Sequence, residues 1–330
     1  MLKNDVELAV DVLADILTSS LFLEKEVIKE YEVVTQEIKQ AFDTPDDIVF
    51  DYLQEKAYPG QPWGRPVLGL EKNVRSFGEK ELRAYIKSNY AASNMVVSAV
   101  GNIKHNDLVK MVEPRLGGIR KKTDFAIETP KYAGGFSAHK RAVEQAQITF
   151  AFEGINYYDP KYYSNVLMSS IFGGGMSSRL FRELRENRGL VYTTYSYMNA
   201  QTQTGLNGIY AGASKENLGR LIPVVVDEIN KMRHEKVTPE ELNRAKTQTK
   251  SGILMGLESS STTADIMARQ MLIYGRVIPI KEIVSRIEKV GFDDIRDMAV
   301  RVFSSKPSCA LLGAIEGHPT YKSIEKWLAK

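Results

Sequence analysis

Ser308-Cys-Ala-Leu-Leu-Gly-Ala-Ile315 is an unbroken apolar run closed by Gly-Ala-Ile, the pattern of a strand buried on both faces. Met95-Val-Val-Ser-Ala-Val-Gly-Asn-Ile103 repeats it 212 positions earlier, with Gly101 matching Gly313. The helical stretches ahead of the two runs also agree. Leu82-Arg83 and Tyr90 fall on Ile295-Arg296 and Phe303 at an offset of 213. At the start of the chain, Val6, Ala9, Val10, Leu13, Asp15 and Leu17 fall on Leu218, Leu221, Ile222, Val225, Asp227 and Ile229, again at 212, and both sets keep a helical apolar stripe. Three matches in the same order identify an internal repeat.

The repeat sets the expected organisation: a first domain over residues 1–120, a linker over 121–128 after the Gly117-Gly118 pair, and a second domain over 129–330. Residues 129–212 have no counterpart in the first domain, which is therefore expected to lack its N-terminal strands and helix. The second domain carries them as strand Ala146–Glu153, helix Pro160–Phe172, helix Ser177–Arg188, and strands around Val191–Tyr197 and Gly205–Ala213. The expected fold class is α+β: two related domains, each an antiparallel sheet packed with helices. Thr44-Pro-Asp-Asp47 and Thr238-Pro-Glu-Glu241 both read as an N-cap threonine, a first-turn proline and acids at a helix start.

Composition narrows the function classes. The chain has 330 residues, with 44 Lys plus Arg against 41 Asp plus Glu, so its net charge of +3 is dispersed and gives no basic stripe for nucleic acid. The longest apolar runs fall far short of the ~20 residues of a membrane span. The single cysteine, Cys309, lies in the apolar run, which leaves no internal disulfide and no cysteine metal site.

The chemistry-bearing residues are few. Four histidines, His105, His139, His234 and His318, are spread so widely that no two stand one helical turn apart, the usual zinc-binding spacing. Gly173-Gly-Gly-Met-Ser-Ser-Arg179 reads as a helix stop followed by serine capping, with a possible anion-facing role for Arg179. No G-x-S-x-G elbow surrounds Ser177 or Ser178. Arg182-Glu-Leu-Arg185-Glu-Asn-Arg-Gly-Leu-Val-Tyr192 is a helix with a basic row that breaks at Gly189 into an aromatic strand. Arg185 and Tyr192 stand seven apart across that break. An arginine fork can hold a peptide carbonyl or carboxylate, and a phenol can donate to a developing oxyanion. A surface ion-pairing arginine and a packed strand tyrosine fit the same spacing.

The motifs together resemble the M16 peptidase family, the insulinase, pitrilysin and mitochondrial processing peptidase group, in its short bacterial form. They are Glu32-Val-Val-Thr-Gln-Glu-Ile38, Asp43-Thr-Pro-Asp-Asp-Ile48, Gly64-Arg-Pro-Val-Leu-Gly69, Gly173-Gly-Gly-Met-Ser-Ser-Arg-Leu-Phe181 and Arg185-Glu-Asn-Arg-Gly-Leu-Val-Tyr192. The resemblance implies two domains of LuxS- and processing-peptidase-like fold enclosing a chamber in which a peptide adds as a strand. It also implies that Arg185 and Tyr192 contact that peptide near the scissile bond. The family's zinc site is His-x-x-Glu-His plus a distal glutamate. The first part has no match here, and the distal position falls on Ile28, whose side chain cannot bind zinc. Glu24 and Glu32 share its helix face, each about one 5.4 Å turn away.

The expectation is thus a noncatalytic M16-like protein, with zinc in the family but no cofactor in this chain. It would bind an extended peptide or unfolded protein segment and pair, as a homo- or heterodimer, with an M16 homologue. Two alternatives stand beside it: a zinc metalloendopeptidase whose metal motif lies upstream of residue 1, and a structural subunit like the respiratory-complex core proteins. No targeting signal is present as written, which gives a cytoplasmic expectation; any such segment would precede Met1.

Overall fold

The computed structural model describes residues 2–123 and 127–330. Residues 124–126, part of the expected linker, lie outside the described residues. In chain order the helices are α1 (Val6–Thr18), α2 (Glu24–Asp43), α3 (Pro45–Ala57), α4 (Glu71–Val74), α5 (Glu79–Asn89), α6 (His105–Leu116) and α7 (Tyr162–Gly173). They continue as α8 (Leu218–His234), α9 (Pro239–Gly256), α10 (Ser260–Tyr274), α11 (Ile280–Glu288), α12 (Phe292–Phe303) and α13 (Tyr321–Leu328). The strands are β1 (Gly135–Lys140), β2 (Gln145–Glu153), β3 (Val191–Ala200), β4 (Gly205–Ser214) and β5 (Ser308–Gly313). No described helix is long and apolar enough to cross a membrane. Two compact units form: one from Met1–Gln36, Leu70–Glu128 and Gly252–Pro279, the other from Glu37–Gly69, Thr129–Ser251 and Ile280–Lys330.

The second unit holds all five strands, in the order β1-β5-β2-β4-β3. Ladders are antiparallel except for β1 with β5, which run parallel. β5 is entirely buried because it is paired on both edges and covered on both faces. Val49, Leu53 and Ala57 of α3 pack on Ala310, Leu312, Ala151 and Tyr210. Side chains alternate across a strand, so Phe152 points to the opposite face. There it meets Phe303 of α12 edge-on at 5.1 Å, and Phe303 also touches Phe172 of α7 at 5.3 Å. Burial alone pushes the Cys309 thiol far above its ordinary value, as an inert core cysteine requires.

In the first unit the described residues form helices and no strand. α1 packs on α6, and Arg115 of α6 pairs with both Glu7 and Asp11 of α1 at 3.1 and 3.0 Å. The segment 95–100, expected as a buried strand, has no ladder partner among the described residues. Without neighbours to cover it, Val97 is 48% exposed, while its repeat partner Cys309 is 0% exposed. Open grooves of about 680 and 620 Å³ flank this segment, and Val97, Ser98, Ala99, Ile103 and Leu108 line both. The Ser98 hydroxyl is buried with no hydrogen-bond partner among the described residues. Leu13 of α1 is likewise 57% exposed where Val225 of α8 is 1% exposed.

One cap device recurs at the repeat offset. The Glu81 carboxylate accepts from the Gly78 N–H at the start of α5, and Asp294 does the same for Gly291 at the start of α12, both at 2.9 Å. The two Thr-Pro starts differ from each other. Thr238 forms a reciprocal box with Glu241 (2.8 and 3.2 Å), whereas the Thr44 hydroxyl donates backward to the Gln40 carbonyl at 2.8 Å and caps nothing. The reason is local: α2 runs to Asp43, so the Gln40 carbonyl is one of its last, unsatisfied acceptors and lies within reach of Thr44.

Candidate functional site

Gly173 ends α7 against β3 so tightly that a Cβ there would stand 2.3 Å from the Ser196 nitrogen. Gly173 is therefore first a packing residue, while Gly175 has open space about it. Arg179, the candidate anion contact, is instead paired with Glu241 at 2.7 and 2.8 Å, with both side chains only 14% exposed. Burial opposes ionisation of Glu241, but hydrogen bonds from Arg179 and the Thr238 N–H outweigh it and hold the carboxyl below its usual range. Arg179 thus ties the loop after α7 to the start of α9.

The segment expected as an ordinary helix over 177–188 is a π-helix over Phe181–Asn187. Such wide turns are rare and concentrate at functional sites. Leu184 anchors it in the core, while Arg182 and Arg185 are exposed. The chain then reverses at Gly189, whose φ of +59° favours glycine. The Leu190 N–H donates back to the Leu184 carbonyl at 2.7 Å.

β3 opens on an irregularity. Val191 pairs with Ala213 and Thr193 with Gly212, so Tyr192 is an extra residue, a β-bulge. Arg185 donates from Nη1 to the Val191 carbonyl at 2.7 Å, and Asn217 donates from Nδ2 to the Leu190 carbonyl at 3.2 Å. Tyr192 is 57% exposed. The structure therefore brings Arg185 and the backbone beside Tyr192 together, as the seven-residue spacing allowed. Asn217 was not legible: it stands at the N-cap of α8, where an asparagine reads as a cap, yet its side chain makes no cap bond there.

Further along β3, Tyr195 and Tyr197 share a face with Tyr210 of β4. Tyr195 and Tyr210 lie 5.1 Å apart, and Phe50 of α3 stacks on Tyr210 at 5.6 Å and meets Tyr197 edge-on at 5.7 Å.

Residues 76–249 match the family model described as the peptidase M16 inactive domain, and residues 1–71 match insulinase, peptidase family M16. The chain belongs to peptidase family M16. An M16 relative from Rickettsia felis, named an uncharacterized zinc protease, is 35% identical over 314 residues, which cover 95% of this chain and 76% of the relative. A probable mitochondrial-processing peptidase subunit beta from Schizosaccharomyces pombe is 32% identical, with 98% and 74% covered. The M16 inactive domain from Pseudomonas fluorescens superposes with a TM-score of 0.86 at 20% identity, covering 96% of this chain and 77% of that one. A chain of the Candida albicans complex III dimer superposes at 0.89 and 19%, covering 99% and 81%. At these identities the two structures show the fold, and that fold is M16-like.

Relatives named zinc proteases imply a zinc ion, which would need oxygen, nitrogen or sulfur donors from side chains. Ile28, on α2, is 50% exposed and offers no donor atom. Glu32, one turn on, is held by Arg75 through two hydrogen bonds of 2.8 and 3.4 Å. Among the described residues no group of three or more His, Cys, Asp or Glu could hold a metal ion. Among the described residues, then, no donor set fits zinc.

The four histidines have other surroundings. His139 stacks on Tyr52 at 3.8 Å, and burial followed by the charges of Arg141 and Lys56 lowers its pKa. His318 lies 2.9 Å from the Pro319 carbonyl, His105 opens α6 and His234 closes α8.

Proposed function

We propose that this M16 chain is a noncatalytic peptide-binding unit, acting on extended polypeptide alone or alongside a zinc-bearing homologue. The observation that carries the reading is the state of the distal-ligand position: Ile28 brings no oxygen, and the neighbouring Glu32 carboxylate is committed to Arg75. A metal motif upstream of residue 1 would still lack its third ligand. Supporting the binding half is the bulged edge of β3 with Tyr192 outward, a place where an added strand meets a phenol. The domain assignment that goes with it is 1–120 and 129–330, and the uncovered apolar surface around 95–100 favours association into a dimer.

The test is direct. After incubation with zinc and gel filtration, bound metal is measured, and cleavage of a quenched peptide is followed with and without chelator. Well under one zinc per chain and no chelator-sensitive cleavage are expected; stoichiometric zinc with such cleavage would falsify the reading. Binding is measured separately, by anisotropy, with fluorescein-labelled reduced and carboxymethylated lysozyme. Tyr192→Ala weakens it if the site is correctly placed. A second reading, a zinc endopeptidase, is favoured by relatives at 30–35% identity that are named zinc proteases, and the same zinc measurement decides against or for it.

A further inference from the structure

Two consecutive carbonyls, those of Leu190 and Val191, are gripped from outside the sheet just before the bulge. Asn217 holds the first at 3.2 Å and Arg185 the second at 2.7 Å, while the Leu190 N–H is tied to the Leu184 carbonyl. A bulge leaves one residue without a regular partner and locally bends the strand, so its direction depends on what fixes the residues before it. The residue this arrangement aims is Tyr192. An arginine that only decorated the surface would not need a short charge-assisted bond to a main-chain oxygen at that point.

From this geometry we infer that Arg185 and Asn217 are positioning residues: they set the β3 bulge by holding the Val191 and Leu190 carbonyls, and so fix the direction in which Tyr192 meets an extended polypeptide. The inference rests on the proposed peptide site for the last step only. Arg185 then acts on a bound peptide through Tyr192, with its Nη1 occupied by the chain's own carbonyl. Asn217 has the same role from the start of α8, and its contribution is the smaller because its bond is longer and neutral.

The free protein tests the first part. With 3-fluorotyrosine incorporated at the 16 tyrosines, the Tyr192 fluorine signal is assigned by its loss in Tyr192→Phe. Arg185→Ala shifts or broadens that signal and speeds amide exchange at Tyr192 and Thr193 by about tenfold or more. Arg185→Lys, which keeps one charged donor, retains much of both signatures, and Asn217→Ala moves them in the same direction by less. An unchanged Tyr192 signal in Arg185→Ala overturns the inference, whether or not any peptide binds. Arg185 is exposed, and a thermal melt of each variant verifies folding.

Anisotropy with the labelled carboxymethylated lysozyme tests the second part. Arg185→Ala lowers affinity about tenfold in the native background and has no further effect in Tyr192→Phe. Additive losses show a direct arginine contact and overturn the indirect role. Loss of all binding response with the Tyr192 signatures intact as described fails the peptide-site reading alone.

Discussion

The two copies of one sequence pattern differ most where they are most alike. Ser308–Gly313 lies between β1 and β2 with every residue buried, while 95–100 has no ladder partner among the described residues and open grooves beside it. The stripes of α1 and α8 match position for position, yet Leu13 is largely exposed and Val225 is not. An apolar pattern therefore states what a segment can bury. It does not supply the neighbours.

Four measurements break or sharpen this comparison. Amide exchange carries the largest effect. Protection in Ser308–Gly313 follows global unfolding, whereas 95–100 exchanges at least about 10³-fold faster. Equal protection would mean that the first copy is covered in solution, and dilution would then show whether a second chain covers it.

Core truncation comes next. Ile222→Ala, fully buried in α8, costs about 2–5 kcal/mol in urea unfolding. Leu13→Ala stays within about 0.5 kcal/mol, as an exposed site should. A Leu13 cost comparable to that of Ile222 breaks the contrast.

The two Thr-Pro starts predict a smaller difference. Thr238→Ala removes a working cap and costs about 1 kcal/mol. Thr44→Ala, whose hydroxyl caps nothing, costs less.

Acid sensitivity is the finest discriminator. The Gly291 N–H first, and Lys161 second, hold the Asp294 carboxyl below its usual range; at Glu81 the backbone N–H groups of its own residue and of Gly78 do so. Because the folded pKa lies under the unfolded one, each group stabilises the fold above about pH 4, and that contribution is lost as pH falls through the folded value. Asp294→Asn therefore flattens the decline of the melting temperature between about pH 5 and pH 3. Glu81→Gln, at an exposed position without a lysine partner of the Lys161 kind, flattens it less.

Much of the second unit was legible. The runs that read as strands near 146–153, 191–197 and 205–213 are β2, β3 and β4: the first and last are buried almost throughout, as inner strands are, while the aromatic and hydroxyl residues of 191–197 suit a half-exposed edge. That Arg185 comes back to the start of β3 was legible, since a helix broken at a glycine and followed by a strand brings its last turn back over the strand start. The bulge, the π-helix and Asn217 were not, because each depends on which carbonyl lies within reach after folding. Thr44 and Thr238 carry the same local signal, and only the preceding helix end decided between them.

By itself, the sequence determined the repeated apolar pattern, the α+β character and the M16 motifs, all properties of residue type and spacing. Tertiary structure alone decided that Glu32 faces Arg75, that Arg179 is consumed by Glu241, and that Tyr192 is turned out by a bulge. The reason is physical: composition and period are carried by neighbours along the chain, whereas a hydrogen bond or ion pair is chosen among groups the fold brings within about 3 Å.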